Sequence, residues 1–141
     1  MYQVILSINN NEDVIVLPAV PSDIGPQIPQ NNGTYAGLSR DYNTLGTMGL
    51  WEMTISSFFP VGKRYSFMPA DALEDGWQYV SFFERNRSRM LPFRVIILDS
   101  HGVCRLNSPC SVDSFSWTVK RNGDIAYELT LREYRFISGV K

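Results

Sequence analysis

Histidine is nearly missing from this chain, occurring once at His101, and cysteine occurs twice, at Cys104 and Cys110. A structural zinc site needs four ligands, usually as two close pairs, and no second Cys or His pair completes one. The cysteines flank Arg105-Leu106-Asn107-Ser108-Pro109. That spacing is open to a short-loop disulfide or half of a metal site; the reading adopted is two reduced thiols. An excess of charge is missing too. Thirteen Lys and Arg face fourteen Asp and Glu, for a net charge of −1, so there is no electrostatic footprint for nucleic acid or an anionic membrane. No apolar run approaches a membrane span, and the first residues lack a signal peptide's basic and apolar regions. Nucleophile elbow, phosphate loop, dinucleotide fingerprint and zinc-protease helix are all absent. The tightest acidic group, Asp71, Glu74 and Asp75, is explained by capping at a helix start. No catalytic residue, metal or cofactor is assigned.

What the chain has is aromatic residues, 13% of its length, and period-two patterning. The clearest stretch runs from Ser111 to Ile137. Phe115, Trp117 and Val119 alternate with Ser116, Thr118 and Lys120, and after Asn122-Gly123 the alternation resumes as Ile125, Tyr127, Leu129 and Leu131. This predicts an antiparallel hairpin with one apolar face. A two-residue Asn-Gly loop would put the two apolar rows on opposite faces. A three-residue loop, Arg121-Asn122-Gly123, pairs Val119 with Ile125, Trp117 with Tyr127 and Phe115 with Leu129, with Gly123 in the left-handed position of a bulge. Register follows the apolar rows, so the longer loop is expected.

Elsewhere, Tyr2, Val4, Leu6 and Ile8 read as a strand, Asn9-Asn10-Asn11 as a turn, and Asp13 to Leu17 as a second strand ended by Pro18. From Pro18 to Gly33, four prolines and two glycines mark an irregular excursion, unable to bury much by itself. Thr34 to Leu38 reads as a strand, Ser39 to Gly49 as a polar hairpin tip, and Leu50, Trp51, Met53 and Ile55 as a clearer strand. The whole of 18–49 is a long loop and hairpin excursion. Of the adjacent Phe58 and Phe59, either one faces outward towards another molecule or a bend tucks both under a loop, since neighbours on a strand face opposite sides.

Leu73, Trp77, Val80 and Phe83 keep helical spacing. Two overlapping capping signals blur the start, and Gly76 with the downstream pattern places the helix at about 76–90. Arg85, Arg87 and Arg89 load its last turns, where cations suit the helix dipole. Pro92 breaks the helix, and Phe93 to Leu98 reads as a central strand buried on both faces. Asp99-Ser100-His101-Gly102 turns into a strand from Val103 to Leu106. The expectation is a single domain over 1–141, α+β, mainly an antiparallel β-barrel or sandwich with one flanking helix.

Several segments occur in an order that resembles a known family. They are Ser56-Ser57-Phe58-Phe59-Pro60, Tyr65, Trp77-Gln78-Tyr79-Val80, Pro92-Phe93-Arg94-Val95-Ile96-Ile97, Ser114-Phe115, and Asp124 through Arg135. Together they resemble the N-terminal domain of LysM-containing baseplate proteins of contractile phage tails and tailocins, of the PBSX-like prophage type, over roughly Leu17 to Ile137. The Ser-Phe-Phe-Pro and Leu-Arg-Glu-Tyr-Arg elements are the most specific, and neither is catalytic. The resemblance implies a tail-tube-like fold and a non-enzymatic structural subunit near the junction of hub, tail tube and sheath. It also implies multiple copies around the tail axis and location in a virion or tailocin particle made in the bacterial host cytoplasm. Expected partners are hub, tail tube, sheath or wedge subunits, with neither nucleic acid nor membrane. Relatives continue into a LysM module where this sequence stops at Lys141, so a glycan-binding role is not carried over. The assembly surface is expected on Tyr35, Tyr42, Leu45, Met48, Phe58, Phe59, Pro60, Arg85 and Arg89. The rival readings are a glycan-binding module and a small hydrolytic enzyme with an acidic cleft.

Overall fold

The computed structural model describes residues 2–21 and 23–136. Strands β1 (Gln3–Ile8), β2 (Asp13–Val16), β5 (Glu52–Phe59), β6 (Phe93–Leu98), β7 (Cys104–Val119) and β8 (Ile125–Glu133) form one antiparallel sheet. Its order is β2-β1-β6-β7-β8-β5. Strands β3 (Gly33–Ala36) and β4 (Asp41–Thr44) pair only with each other. One helix, α1 (Gly76–Arg87), packs on the apolar face of the six-stranded sheet. The architecture is α+β: a single sheet curled into a half-barrel, with one helix, rather than two stacked sheets.

Period two sets which face is apolar. Across β1 and β6, Val4 opposes Ile97, Leu6 opposes Val95 and Ile8 opposes Phe93, and all six side chains are buried. The same row continues through Cys110 on β7, the four apolar residues of β8, and Met53, Ile55 and Phe59 on β5. Helix α1 covers this row with Tyr79, Val80, Phe82 and Phe83. Phe83 stacks on Phe115 at 4.5 Å between ring centroids, and Phe82 meets Phe93 edge-on at 5.9 Å.

The expected hairpin is present in the expected register, with Val119 opposite Ile125, Trp117 opposite Tyr127 and Phe115 opposite Leu129. The Gly123 amide closes the turn on the Lys120 carbonyl at 3.0 Å, and φ at Gly123 is +93°. Ile137 lies outside the described residues. Burial is uneven, though. The β8 row is enclosed, whereas Trp117 and Val119 are 41% and 50% exposed, and Trp117 meets Trp77 in an edge-on pair at 5.1 Å.

Other expectations are corrected. Strand β7 begins at Cys104, so the two cysteines flank a strand segment and not a loop. At about 3.3 Å per residue they stand roughly 20 Å apart, far beyond the 4–7 Å span of a disulfide. Both are free, and burial pushes the Cys110 thiol up to about 12. Strand β6 is buried on one face only, since Arg94, Ile96 and Leu98 are half-buried. The helix ends at Arg87, and the chain turns left-handed at Met90, φ +58°. Trp77 does not belong to its buried stripe, being 40% exposed. Gly33 to Ala36 pair with Asp41 to Thr44, not with the strand after Leu50, so the tip lies at Leu38-Ser39 and 39–49 includes β4. The start of the excursion buries more than its composition implied: Ala19 is buried, and Val20 and Ile24 pack against the core.

Helix α1 starts where two signals agree. Asp75 caps it, its carboxylate accepting from the Trp77 amide at 3.1 Å. Gly76 follows because the helix is pressed against the end of β5. A Cβ there would lie 2.7 Å from the Pro60 carbonyl oxygen and 2.8 Å from the Phe59 Cβ. Helix propensity alone favours Ala over Gly by about 1 kcal/mol. Gly76→Ala is expected to reverse that sign and cost about 1–3 kcal/mol in urea unfolding, the range for overpacking.

Candidate functional site

Three of the segments that carry the resemblance, Ser56 to Pro60, Trp77 to Val80 and the start of Asp124 to Arg135, meet at one junction. Phe59 is fully buried, with its ring stacked between Tyr79 at 4.7 Å and Tyr127 at 4.0 Å. Phe58, its neighbour, points to the other face and is half-buried. Tyr65 and Phe67 pack edge-on against its ring, and the Lys120 ammonium sits 5.3 Å from its centroid. The pair is thus split, one ring in the core and one under the 61–70 loop.

Asp124 fastens that loop to the hairpin. Its buried carboxylate accepts from the Tyr65 hydroxyl at 2.7 Å and the Val61 amide at 3.3 Å, with the Lys63 ammonium at 3.4 Å. Burial pushes its pKa up, but the Tyr65, Val61 and Lys63 donors together outweigh it and hold the carboxyl below its ordinary value. The Tyr65 hydroxyl, donating to that carboxylate, is pushed upward. These groups act as structural ties. Asp71, Glu74 and Asp75 are exposed, and Asp75 is spent on the helix cap. Among the described residues no cluster of three or more His, Cys, Asp or Glu side chains could hold a metal ion.

Two buried tyrosines at this junction make a testable contrast. The Tyr79 hydroxyl donates to the Val16 carbonyl at 2.6 Å and accepts from the Leu73 amide at 2.9 Å, and burial pushes its pKa up to about 12. The Tyr127 hydroxyl, also pushed up by burial, has no partner among the described residues. Tyr79→Phe strands two backbone groups and is expected to cost about 1–3 kcal/mol, whereas Tyr127→Phe removes an unpaired hydroxyl and is expected to be neutral or stabilising. Thermal unfolding of the two variants, with melting temperatures moving in the same direction by similar amounts, would contradict this.

The remaining site residues divide between two places. Tyr35 and Tyr42 stack at 5.3 Å on the β3–β4 ribbon and are 57% and 47% exposed. Leu45 and Met48 are exposed at its base, and Leu38, which the sequence reading passed over, is fully exposed at its tip. Every residue of β3 and β4 is exposed. Phe59 and Pro60 are buried, so they support the surface without being part of it. Arg85 and Arg89 belong to neither. Arg85 pairs with Asp13 at 2.7 Å and Arg89 with Glu12 at 2.8 Å, clamping the helix end to the β1–β2 turn. In that turn Asn9, Asn10 and Asn11 all take positive φ, a conformation asparagine tolerates better than most residues.

The geometry defines an α+β scaffold with one projecting ribbon and a set of buried polar ties. No protein-family model matches the sequence, and no curated protein matches it. Among solved structures, the fold is similar to that of a chain in the anti-feeding prophage baseplate, six-fold symmetrised. There the TM-score is 0.55 at 12% identity, over 95% of this chain and 89% of that one. A weaker match is a chain of an extracellular contractile injection system, the PVC sheath–tube complex in its extended state. Its TM-score is 0.46 at 14% identity, over 97% and 88% of the two chains. At 12% identity, what the likeness to the anti-feeding prophage chain shows is the fold.

Proposed function

We propose that this protein is a structural, non-enzymatic component of a contractile tail or injection particle, at its baseplate, working by protein–protein assembly. The observation that carries the reading is the end-to-end fold likeness to a baseplate chain, 95% of this chain against 89% of that one. The resemblance of its sequence segments to LysM-containing baseplate proteins of the PBSX-like type points the same way, as does the tail-tube-like fold that resemblance implies. In this reading hub, tube, sheath or wedge subunits are its neighbours, and several copies surround the tail axis of a phage or tailocin particle. The ribbon is the assembly surface. Isolated two-stranded ribbons are marginal in water, and this one presents Tyr35, Tyr42, Leu38 and Leu45 to solvent.

The glycan-binding alternative would rest on the exposed tryptophans. Trp77 and Trp117 meet at 89°, an edge-on pair instead of a flat platform for a sugar ring. The test of the assembly reading is co-purification with tail proteins, followed by hydrogen exchange on free and incorporated protein. Amides of 33–44 are expected to exchange fast in the free chain, while α1 and the β7–β8 hairpin stay closed. On incorporation those amides are expected to gain protection. Exchange over 33–44 that is slow in the free protein and unchanged in the particle would remove the ribbon as the contact.

A further inference from the structure

The two edges of the six-stranded sheet are not equivalent. At the β2 edge, Leu17 bonds inward to Val4 at 2.9 Å, so by alternation Val14 and Val16 point outward. The Val16 carbonyl is already taken by the Tyr79 hydroxyl, and Arg85 holds Asp13 at the same edge. At the β5 edge, Glu52 exchanges both backbone bonds with Gln27, at 2.8 and 3.0 Å. Its peptide groups therefore face outward, and so do those of Thr54, Ser56 and Phe58. Beyond Glu52 the edge carries no named strand. Thr54 and Ser56 are exposed, and Met53 to Phe59 contain no charge, proline or bulge of the kind that blunts a free edge.

The chain's own ribbon cannot cover this edge. Gln27 pairs with Glu52, Gln30 with Met48 and Gly33 with Thr44, so the two arms run away from β5 and not back along it. The arm from Arg40 to Glu52 reaches up to about 40 Å at about 3.3 Å per residue. By the same alternation, the Gly37 amide bonds the Arg40 carbonyl at 2.7 Å, which leaves the peptide groups of Thr34 and Ala36 on β3 facing outward. One molecule therefore carries both an uncharged strand with free groups that it cannot use and a free edge that it cannot fill. We propose that β3 of one copy adds as an antiparallel or parallel strand to the β5 edge of a second copy, a head-to-tail contact. Such a contact is heterologous and closes into a ring or runs on as a filament.

This inference rests on the assembly reading for its setting but is tested apart from it. In a Cys104→Ser background, one batch carries Thr34→Cys and another Ser56→Cys. The two are mixed at the highest concentration the protein tolerates and treated with a short bis-maleimide. The expected result is a cross-linked dimer in the mixture and in neither batch alone. A double variant carrying both cysteines should give a ladder of higher species. Ser56→Pro, which removes an outward N–H and no bond to β8, should keep its melting temperature and lose the cross-link when combined with the Thr34→Cys partner and a Thr54→Cys probe. Cross-linking within the Ser56→Cys batch alone would mean β5 pairs with β5 and would overturn the proposal. A mixture that stays uncross-linked and sediments as a monomer would overturn it as well. A Ser56→Cys chain that enters tail particles but cross-links there only to another protein would end this inference and leave the assembly reading standing.

Discussion

Phe59→Ala is expected to lower the unfolding free energy by about 3–5 kcal/mol, near the top of the range for a core truncation. The ring has no exposed surface and lies between two tyrosine rings, each nearly parallel to it, at 9° to Tyr79 and 8° to Tyr127. Such aromatic pairs add about 0.5–1.5 kcal/mol beyond area burial, so more than transfer energy is lost. Collapse around the gap is resisted from two sides. Tyr79 is pinned by its bonds to Val16 and Leu73, and the helix start at Gly76 lies so close that a Cβ added there would meet the Phe59 Cβ at 2.8 Å. Phe58→Ala one residue earlier is expected to cost far less, because that ring is half-buried under a loop. Urea unfolding separates the two. Equal losses at the two positions would refute the split of the pair into one core ring and one covering ring.

How legible this was in the sequence depended on whether an apolar row existed to read. In the β7–β8 hairpin the two rows admit one register, and the Asn122-Gly123 pair supplies the positive φ which that register needs. Helix α1 was likewise placed by Asp75 and Gly76 at its start. The ribbon was misread because Gly33-Thr34-Tyr35-Ala36 and Asp41-Tyr42-Asn43-Thr44 bury no face, so alternation leaves no signal there. Met53 and Ile55 did signal a strand, but nothing in the sequence said that their partners were Leu131 and Leu129 on β8, far along the chain, instead of the nearer 34–38. The cysteine segment looked like a loop because Asn107, Ser108 and Pro109 are turn formers. Its pairing with β6 overrode that local preference. The exposure of Tyr35, Tyr42, Leu45 and Met48 was legible from the polar, turn-rich stretch around them, whereas the free β5 edge is a property of strand order, which no local pattern encodes.

Asp124→Ala is expected to cost about 1–3 kcal/mol, because the Tyr65 hydroxyl and the Val61 amide are left without their acceptor. The carboxylate ties the 61–70 loop, through Val61 and Tyr65, to the hairpin turn in which Asp124 and Asn122 sit. Without it, the Tyr65 hydroxyl and the Val61 amide lose their acceptor, and the loop that covers Phe58 comes away from the sheet. The pH dependence follows from the direction of the pKa. The folded value lies below the ordinary one, so the stabilisation is fully present above the unfolded carboxyl's pKa of about 3.9 and is lost as pH falls through the folded value. Asp99 and Glu12 shift downward too. Asp99 is held by the Val103 and His101 amides and then Arg105, and Glu12 by Asn9 and then Arg89. Their acid losses add to the same limb of the curve. The stability difference between the native protein and Asp124→Asn is therefore expected to stay flat from neutral pH down to about pH 4 and to shrink below it. A difference that instead grew on acidification would mean that Asp124 is protonated in the folded protein, donating a hydrogen bond where accepting ones are assigned.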